Sequence, residues 1–480
     1  MKRIAIIGGG ISGLSAAYYL EKQRQAGADL EYVLFERTPK LGGVLRTDRV
    51  EGCLVEAGPD SFLTEKPWAL TLCRELGLGD QIIGSNDADR KTYILVKGRL
   101  IEMPDGLMFM VPTKILPTLL SPLFSISTKL HMAEEFFRKP KPVNSDETVA
   151  SMVERHFGAE MVDRLADPLL AGVYGGDAGD LSVRAVLPRF AEMEARHGSL
   201  SRGMLESRRK MAQMMKGRVK PPLFSSLKDG MQQMVDALIE RIPASAARTN
   251  CDVSSLRYTG EQWQLTGSGF HNVPTSNFDA VVLAAPASAA GRLLQAGHPD
   301  LASELSGINY SSSVTVTLIY TRADVAKLPP GFGFLVPRSE KRRMLACTFV
   351  HNKFPHRAPA GRAIIRGFLG GTRDEAVLSL SEEEILRTVR DELAQILHLS
   401  AEPLAAQVYK WPRAMAQYSP GHLERVVRIE RLRDALPGLA LAGNAFRGIG
   451  VPDCIRSGME AAERVGVAKV TPVAVPSIRN

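Results

Sequence analysis

Four short apolar runs recur along the chain, each next to glycine, proline or a charged residue. Residues 4–7 read Ile-Ala-Ile-Ile, the pattern of a parallel strand buried on both faces. Leu14, Ala16, Ala17, Tyr18 and Leu20 follow with helical spacing. Tyr32-Val-Leu-Phe35, Asp279 to Pro286 and Leu439-Ala-Leu-Ala442 predict three further strands of the same kind. A helix is predicted from Ile455 through Gly458, Ala461 and Ala462. The intervening chain has other periods. Residues 107–204 read mainly as helices, one of them capped by Ser145-Asp146, running through His156 and closed by Gly158, with helical spacing continuing over 160–171. Asn250–Val253 with Ser255–Arg257, then Val314–Tyr320, Met344–Val350 and Ala363–Leu369, read as strands, and residues 382–398 have a helical period.

The first apolar run leads into Gly8, Gly10 and Gly13, a GxGxxG turn that spans Ile11 and Ser12. The first glycine permits a tight turn, the second lets a pyrophosphate approach the backbone, and the third lets the helix pack close to the strand. The helix N-terminus presents free N–H groups and a positive dipole end to phosphate. Glu36 closes the second strand, about 20 residues on, where a carboxylate binds a ribose hydroxyl. An acid there disfavours NADP. The turn by itself does not separate FAD from NAD, and a glycine turn in another α/β fold is the bland alternative. The expected fold class is α/β with α+β insertions. A Rossmann-type domain, discontinuous over 1–88, 205–285 and 421–480, holds a mixed-sheet substrate domain (89–106 and 286–420) and a helical domain (107–204).

Composition narrows the field. The 480 residues are 45% hydrophobic and 23% charged, with a net charge of +8, as in an ordinary globular protein of two or three domains. The basic excess suits an acidic small substrate, an anionic membrane surface, nucleic acid or no special partner. Cys53, Cys73, Cys251, Cys347 and Cys454 lack any CxxC pair, which argues against a disulfide framework or zinc and for a reducing, cytoplasmic setting. The histidines show no metal-ligand spacing, so no metal is expected. The first strand begins almost at Met1, so neither a signal nor a transit peptide is expected. The apolar window 107–126 is interrupted by Pro112, Lys114, Pro117 and Pro122, a poor spanning helix. Its residues Met108, Phe109, Met110, Leu119, Leu120, Leu123 and Phe124, with Phe136 and Phe137, are expected in a core, with a membrane face or greasy substrate as alternatives. The basic stretch Arg202–Lys220 is expected as a solvated loop, the alternative being contact with an anionic surface.

Leu41-Gly-Gly-Val-Leu-Arg46-Thr47, Glu56-Ala-Gly58-Pro59-Asp60-Ser61-Phe62 and Gly448-Ile-Gly450-Val451-Pro452-Asp453-Cys454 resemble the signatures of the amine-oxidase-like FAD family. The resemblance implies FAD, held at Gly8, Gly10, Ile11, Ser12, Gly13, Glu36, Arg37, Gly43, Arg46, Gly58, Pro59 and Asp60. It also implies Val253 over the adenine, Trp411 at the cofactor, and Gly450, Val451 and Pro452 at the pyrimidine end.

Pro168-Leu-Leu-Ala-Gly172-Val-Tyr174-Gly-Gly176-Asp177, then Leu181-Ser182, resembles the porphyrinogen oxidases, and Gly331–Pro337, Phe354–Pro359 and Gly450–Cys454 extend the likeness over almost the whole chain. That family implies oxidation of a porphyrinogen with O2 reduced to H2O2, within haem biosynthesis. Leu335 and Phe368 would sandwich the macrocycle, the Gly172 carbonyl would accept pyrrole N–H groups, and Lys66 would meet a carboxylate; the plain alternatives are core packing for Leu335 and Phe368 and a solvated surface position for Lys66. Plant relatives hold Arg where this chain has Thr92, which favours coproporphyrinogen III, with protoporphyrinogen IX close behind. Asp60 is the candidate polar catalytic group, a turn cap its plainer role. Expected partners are the porphyrinogen, O2 and a ferrochelatase-type acceptor of the product, with a peripheral membrane contact left open and no nucleic acid. An amine oxidase, a carotenoid desaturase and a non-enzymatic binder resembling GDP-dissociation inhibitors are the rival readings.

Overall fold

The structure, a computed structural model, describes residues 1–108, 110–140, 146–214, 221–270 and 276–466. Its base is a parallel sheet of β1 (Lys2–Ile7), β2 (Leu30–Phe35), β3 (Ala247–Arg248), β4 (Ala280–Leu283) and β5 (Leu439–Leu441). The spatial order is β3-β2-β1-β4-β5, every pair parallel. The four apolar runs supply four of these strands. The fifth, β3, has two residues and no run of its own. Alternation along β1 sends Ile4 and Ile6 to one core, with Leu14 and Leu20 of α1 (Ile11–Gln25), and Ala5 and Ile7 to the other.

The last described helix, Val451–Val465, lies against α1. A Cβ on Gly458 would overlap the Ser12 carbonyl oxygen, so glycine sets this close approach. The helix starts at Val451, one turn before the expected Ile455. Pro452 is the reason: in a first turn its missing N–H costs no hydrogen bond.

A seven-stranded sheet faces this base. Its order is Ala405–Ala416, Tyr310–Thr321, Arg362–Gly370, Met344–Phe349, Gly333–Leu335, Thr92–Val96 and Arg99–Glu102. The helix Glu382–Leu397 covers its outer face with Ile385, Val389 and Leu393 against Leu318 and Ile365. Ser381 caps that helix through the Glu384 N–H while Glu384 bonds back to the Ser381 N–H, a capping box. Val253 lies on Asp252–Tyr258, part of a small antiparallel sheet with Trp263–Ser268 and Asn277–Phe278.

Between Ile115 and Met214 the described chain is helical, around a core that includes Met132, Met152, Phe157, Leu165, Phe190 and Leu200. Three expectations change here. The cap of Val149–Phe157 is Thr148, whose hydroxyl accepts the Ser151 N–H at 3.1 Å. Asp146 instead accepts from Ser182 Oγ and the Gly421 N–H, and Ser145 lies outside the described residues. Arg202–Lys210 is the body of the helix Leu200–Met214 rather than a loop, because Leu200, Gly203 and Met204 pack inward. Lys216, Arg218 and Lys220 lie outside the described residues. Of the apolar residues expected in a core, Met110, Leu123 and Phe124 are buried, but Leu119, Leu120, Phe136 and Phe137 are exposed. The chain leaves the helix Ile115–Leu120 at Ser121-Pro122 and enters the next at Ile126, so each short helix turns only one face to the core. Phe109 lies outside the described residues. No helix among the described residues is long and apolar enough to cross a membrane.

Candidate active site

Helix α1 begins at Gly10, which has no side chain to cap it, and no acid occupies its first turn. Its leading N–H groups are therefore kept for an outside acceptor. A Cβ on Gly10 would meet no protein atom within 4 Å, whereas one on Gly13 would overlap the Gly8 carbonyl oxygen. Gly13 answers to packing, and Gly10 leaves a cradle. Glu36 stands beside the turn, its carboxylate accepting the Gly9 N–H at 2.7 Å and the Thr38 N–H at 2.9 Å. The Leu41–Thr47 segment lies along the same turn. Gly42 N–H donates to the Gly9 carbonyl at 2.8 Å, and a Cβ on Gly43 would come 3.2 Å from Gly10 Cα. Ile11 and Ser12 are buried in the first turn of α1, and Arg37 is exposed just past Glu36. Val253 follows Cys251, whose N–H donates to the Glu36 carbonyl at 2.9 Å. Arg46 is exposed, paired with Asp48 at 2.9 Å and placed over the Tyr409 ring.

A second glycine-started helix runs beside α1 in the same direction, Gly458 against Ser12 and Gly466 against Gln23. Gly450 precedes Val451–Val465, with Val451 and Pro452 buried. Asp453 accepts the Gly450 N–H at 3.3 Å and the Lys66 ammonium at 2.5 Å. Lys66, expected at a substrate carboxylate, is thus committed to the turn expected at the cofactor. One uncapped glycine start with an open Gly10, an acid at the ribose position and a second glycine start fit a dinucleotide-type cofactor.

The loop after Glu56 is clamped from the sheet above. The Ala57 carbonyl accepts Trp411 Nε1 at 2.8 Å and Thr315 Oγ1 at 3.0 Å, and the Gly58 carbonyl accepts Arg366 Nη2 at 2.6 Å. Pro59 follows, and then Asp60, with Lys353 Nζ 3.0 Å from both carboxylate oxygens. Burial opposes ionisation of Asp60, but Lys353 and Arg366 outweigh it and hold the carboxyl well below its ordinary range. The pair ties the loop to the short helix Val350–Lys353. Glu56 forms a buried pair with Arg357 Nη1 at 2.5 Å. Lys353, Arg357 and Arg366 are the residues that sequence reasoning missed. Arg366 carried a signal, a charge inside the apolar run Ala363–Leu369.

Strand register then brings distant residues together. Leu335 pairs with Ala346, Ala346 with Phe368, and Phe368 with Thr315. Directly paired residues share a face, and Thr315 points at the Ala57 carbonyl. Leu335 and Phe368 therefore face the glycine loop, two strands or about 10 Å apart. The helix Asp167–Tyr174 carries Gly172 in its last turn, exposed, with no protein atom within 4 Å of a built Cβ. Its end is docked on the same sheet, the Tyr174 carbonyl accepting Gln417 Nε2 at 2.7 Å and the Gly175 carbonyl the Thr372 N–H at 2.8 Å.

Residues 11–466 match the family described as flavin containing amine oxidoreductase. The chain belongs to that family. This flavin-containing oxidoreductase is related to the bacterial coproporphyrinogen and protoporphyrinogen oxidases. It is 33% identical to coproporphyrinogen III oxidase of Bacillus subtilis (strain 168) over 462 residues, 96% of this chain and 97% of that one. It is 27% identical to protoporphyrinogen oxidase 2, chloroplastic/mitochondrial, of Arabidopsis thaliana, covering 97% and 94%. A crystal structure of an Exiguobacterium sp. 255-15 protein with a protoporphyrinogen oxidase assignment superposes with a TM-score of 0.84 at 28% identity, covering 96% of this chain and 98% of that one. Cyclohexylamine oxidase of Brevibacterium oxydans IH-35A, at 17% identity and a TM-score of 0.68, shares the fold. A flavin-binding fold follows for the flavoprotein described above.

Proposed function

We propose that this flavoprotein oxidises a porphyrinogen to a porphyrin, with coproporphyrinogen III preferred over protoporphyrinogen IX. The observation that carries the reading is the row Leu335–Ala346–Phe368–Thr315 facing the Gly58 loop, with Gly172 open beside it. A flat apolar macrocycle needs apolar faces and few polar anchors. Leu335 and Phe368 provide the faces. Gly172 lies in a last helical turn, whose carbonyls lack helical N–H partners, and its carbonyl accepts pyrrole N–H groups in this reading. The chemistry that a bound FAD supplies is two-electron oxidation of the substrate's C–H and N–H bonds, with O2 as terminal acceptor and H2O2 as product. The chain's own share is to hold and desolvate the ring, while Lys353 and Arg366 keep Asp60 ionised and the loop in place. Thr92 pairs with Gly333 two residues before Leu335, and a threonine offers no cation to a carboxylate. That supports the more carboxylated substrate, whose extra groups stay in solvent or meet other cations. Steady-state rates with the two porphyrinogens side by side test the reading. A higher kcat/KM for coproporphyrinogen III is expected, and turnover of amines in place of either porphyrinogen would overturn it.

The same reading includes a peripheral lipid contact through Leu116, Leu120, Ile126, Leu130 and Phe137, all exposed. Co-sedimentation with anionic vesicles that a Leu120→Ser/Phe137→Ser variant loses would support it. Equal recovery of both proteins in the supernatant would remove it.

A further inference from the structure

Just beyond Leu335 and Phe368, where their strands end, lies a cavity of about 530 Å³ lined by five cations: Arg338, Lys341, Arg342, Arg343 and Arg373. Only three carboxylates share the lining: Asp177, Asp180 and Asp374. Two of the cations are locked in pairs, Arg338 with Asp177 at 3.1 Å and Arg343 with Asp374 at 2.8 Å. Arg373 is turned toward Asp167 and Asp177. Arg342 donates to the neutral Gln395, and no carboxylate among the described residues lies within ion-pair distance of exposed Lys341.

The loop that presents Lys341 and Arg342 is held from behind. Ser339 Oγ donates to Asp163 at 2.6 Å, Glu340 accepts the Lys97 and Gly98 N–H groups at 2.5 and 3.0 Å, and Glu392 accepts the Arg343 N–H at 2.9 Å. Its geometry is set before any ligand arrives, so little ordering cost attends binding. On the other side the cavity is bounded by Asp177 and Thr372, next to the docked end of the Gly172 helix.

We propose that this basin binds peripheral carboxylates of the substrate, with Lys341 and Arg342 as the cations they meet. The proposal rests on the porphyrinogen reading above and deepens it. A macrocycle between Leu335 and Phe368 extends its edge past the strand ends, and propionate arms reach further. Coproporphyrinogen III has four such arms and protoporphyrinogen IX two, so the basin selects the former.

The test uses the full-length, flavin-loaded protein and a Lys341→Ala/Arg342→Ala variant. KM for coproporphyrinogen III should rise about fivefold or more, from the loss of one or two half-exposed charge pairs. KM for protoporphyrinogen IX should rise less, and kcat should change little with either. Added salt should raise the wild-type KM and leave the variant's nearly flat. A charge-conserving Lys341→Arg/Arg342→Lys variant should keep the wild-type KM, which a purely structural role would not require. Unchanged KM values, or equal rises for both substrates, overturn the basin and leave the porphyrinogen reading standing. If the wild-type protein turns over neither porphyrinogen, both fall.

Discussion

Lys66 Nζ stands 2.5 Å from Asp453 Oδ2 and joins the two ends of the chain at one point of the candidate cofactor site. Lys66 immediately precedes the helix Pro67–Glu75, and Asp453 sits in the first turn of Val451–Val465. Asp453 is buried, 5% exposed, while the Lys66 side chain is 38% exposed. The pair fixes the Gly450 turn from outside, because the same carboxylate accepts the Gly450 N–H.

Lys66→Ala is therefore expected to act on the cofactor before the substrate. Solvent screens the lysine, so the stability loss is about 1 kcal/mol. The clearer effect is on the Gly450 turn, seen as a raised flavin dissociation constant. Flavin titration of the stripped protein, with substrate KM measured at saturating flavin, checks this. A raised KM with unchanged flavin affinity would return Lys66 to the substrate.

Gly10 and Gly13 should separate binding from folding. Gly10→Val points its side chain into open space, so the protein should fold and purify without its yellow colour. Gly13→Ala drives a Cβ into the Gly8 carbonyl and should cost folding itself. Flavin-to-protein ratio and circular dichroism read the two effects. A fully flavinated Gly10→Val protein would show that the cofactor phosphates lie elsewhere.

Glu56 and Arg357 are 4% and 1% exposed and 2.5 Å apart. Burial pushes the Glu56 carboxyl up, against the pull of Arg357 and the Met231 N–H. Arg357→Leu strands a buried acid, and a loss of about 3–5 kcal/mol is expected. Glu56→Leu/Arg357→Leu should recover a large part of that loss, because no unpaired charge remains. Urea midpoints of the two single variants and the double variant check the cycle.

The base of the fold was legible because buried parallel strands are unbroken apolar runs and the phosphate turn needs glycine at fixed spacing. What escaped was structure made by pairing. The edge strand Ala405–Ala416 mixes Lys410 and Arg413 with apolar residues and is held by its neighbour Tyr310–Thr321. At the site, Leu335 and Phe368 could be named by resemblance, but their shared face comes from register, which depends on residues 33 positions apart. Asp60 was visible as an acid in a loop. Its charge is held by Lys353 and Arg366, about 300 residues away. Lys66 was placed by its position after Phe62-Leu63, which carries no information about Asp453.

His156 makes the helical layer pH-dependent. Its ring is fully buried, with Nδ1 3.0 Å from Glu135 and Nε2 3.1 Å from Glu194. Arg155 Nη1 lies 3.2 Å from Nε2 and also pairs with Glu194. Glu135 further accepts Ser199 Oγ at 3.0 Å and the Leu200 N–H at 2.5 Å, so the cluster ties together four helices. Burial lowers the His156 pKa, but the hydrogen bonds to Glu135 and Glu194 outweigh it and raise it above 6.5. A group raised on folding stabilises fully below its unfolded pKa and loses that contribution as pH rises through the folded value. Glu194 is displaced the other way. Burial opposes its charge, yet His156 and Arg155 draw it down to about 2, so its contribution is lost as pH falls from 4.5 towards that value. Stability from this cluster should therefore be highest between about pH 4.5 and 6.5 and decline on the alkaline side. His156→Gln keeps hydrogen bonding without the charge and should lower Tm at pH 6 while flattening the alkaline decline. Thermal melts from pH 5 to 9, with limited proteolysis of residues 126–214, measure both. An alkaline decline of equal size in His156→Gln would assign it to other groups.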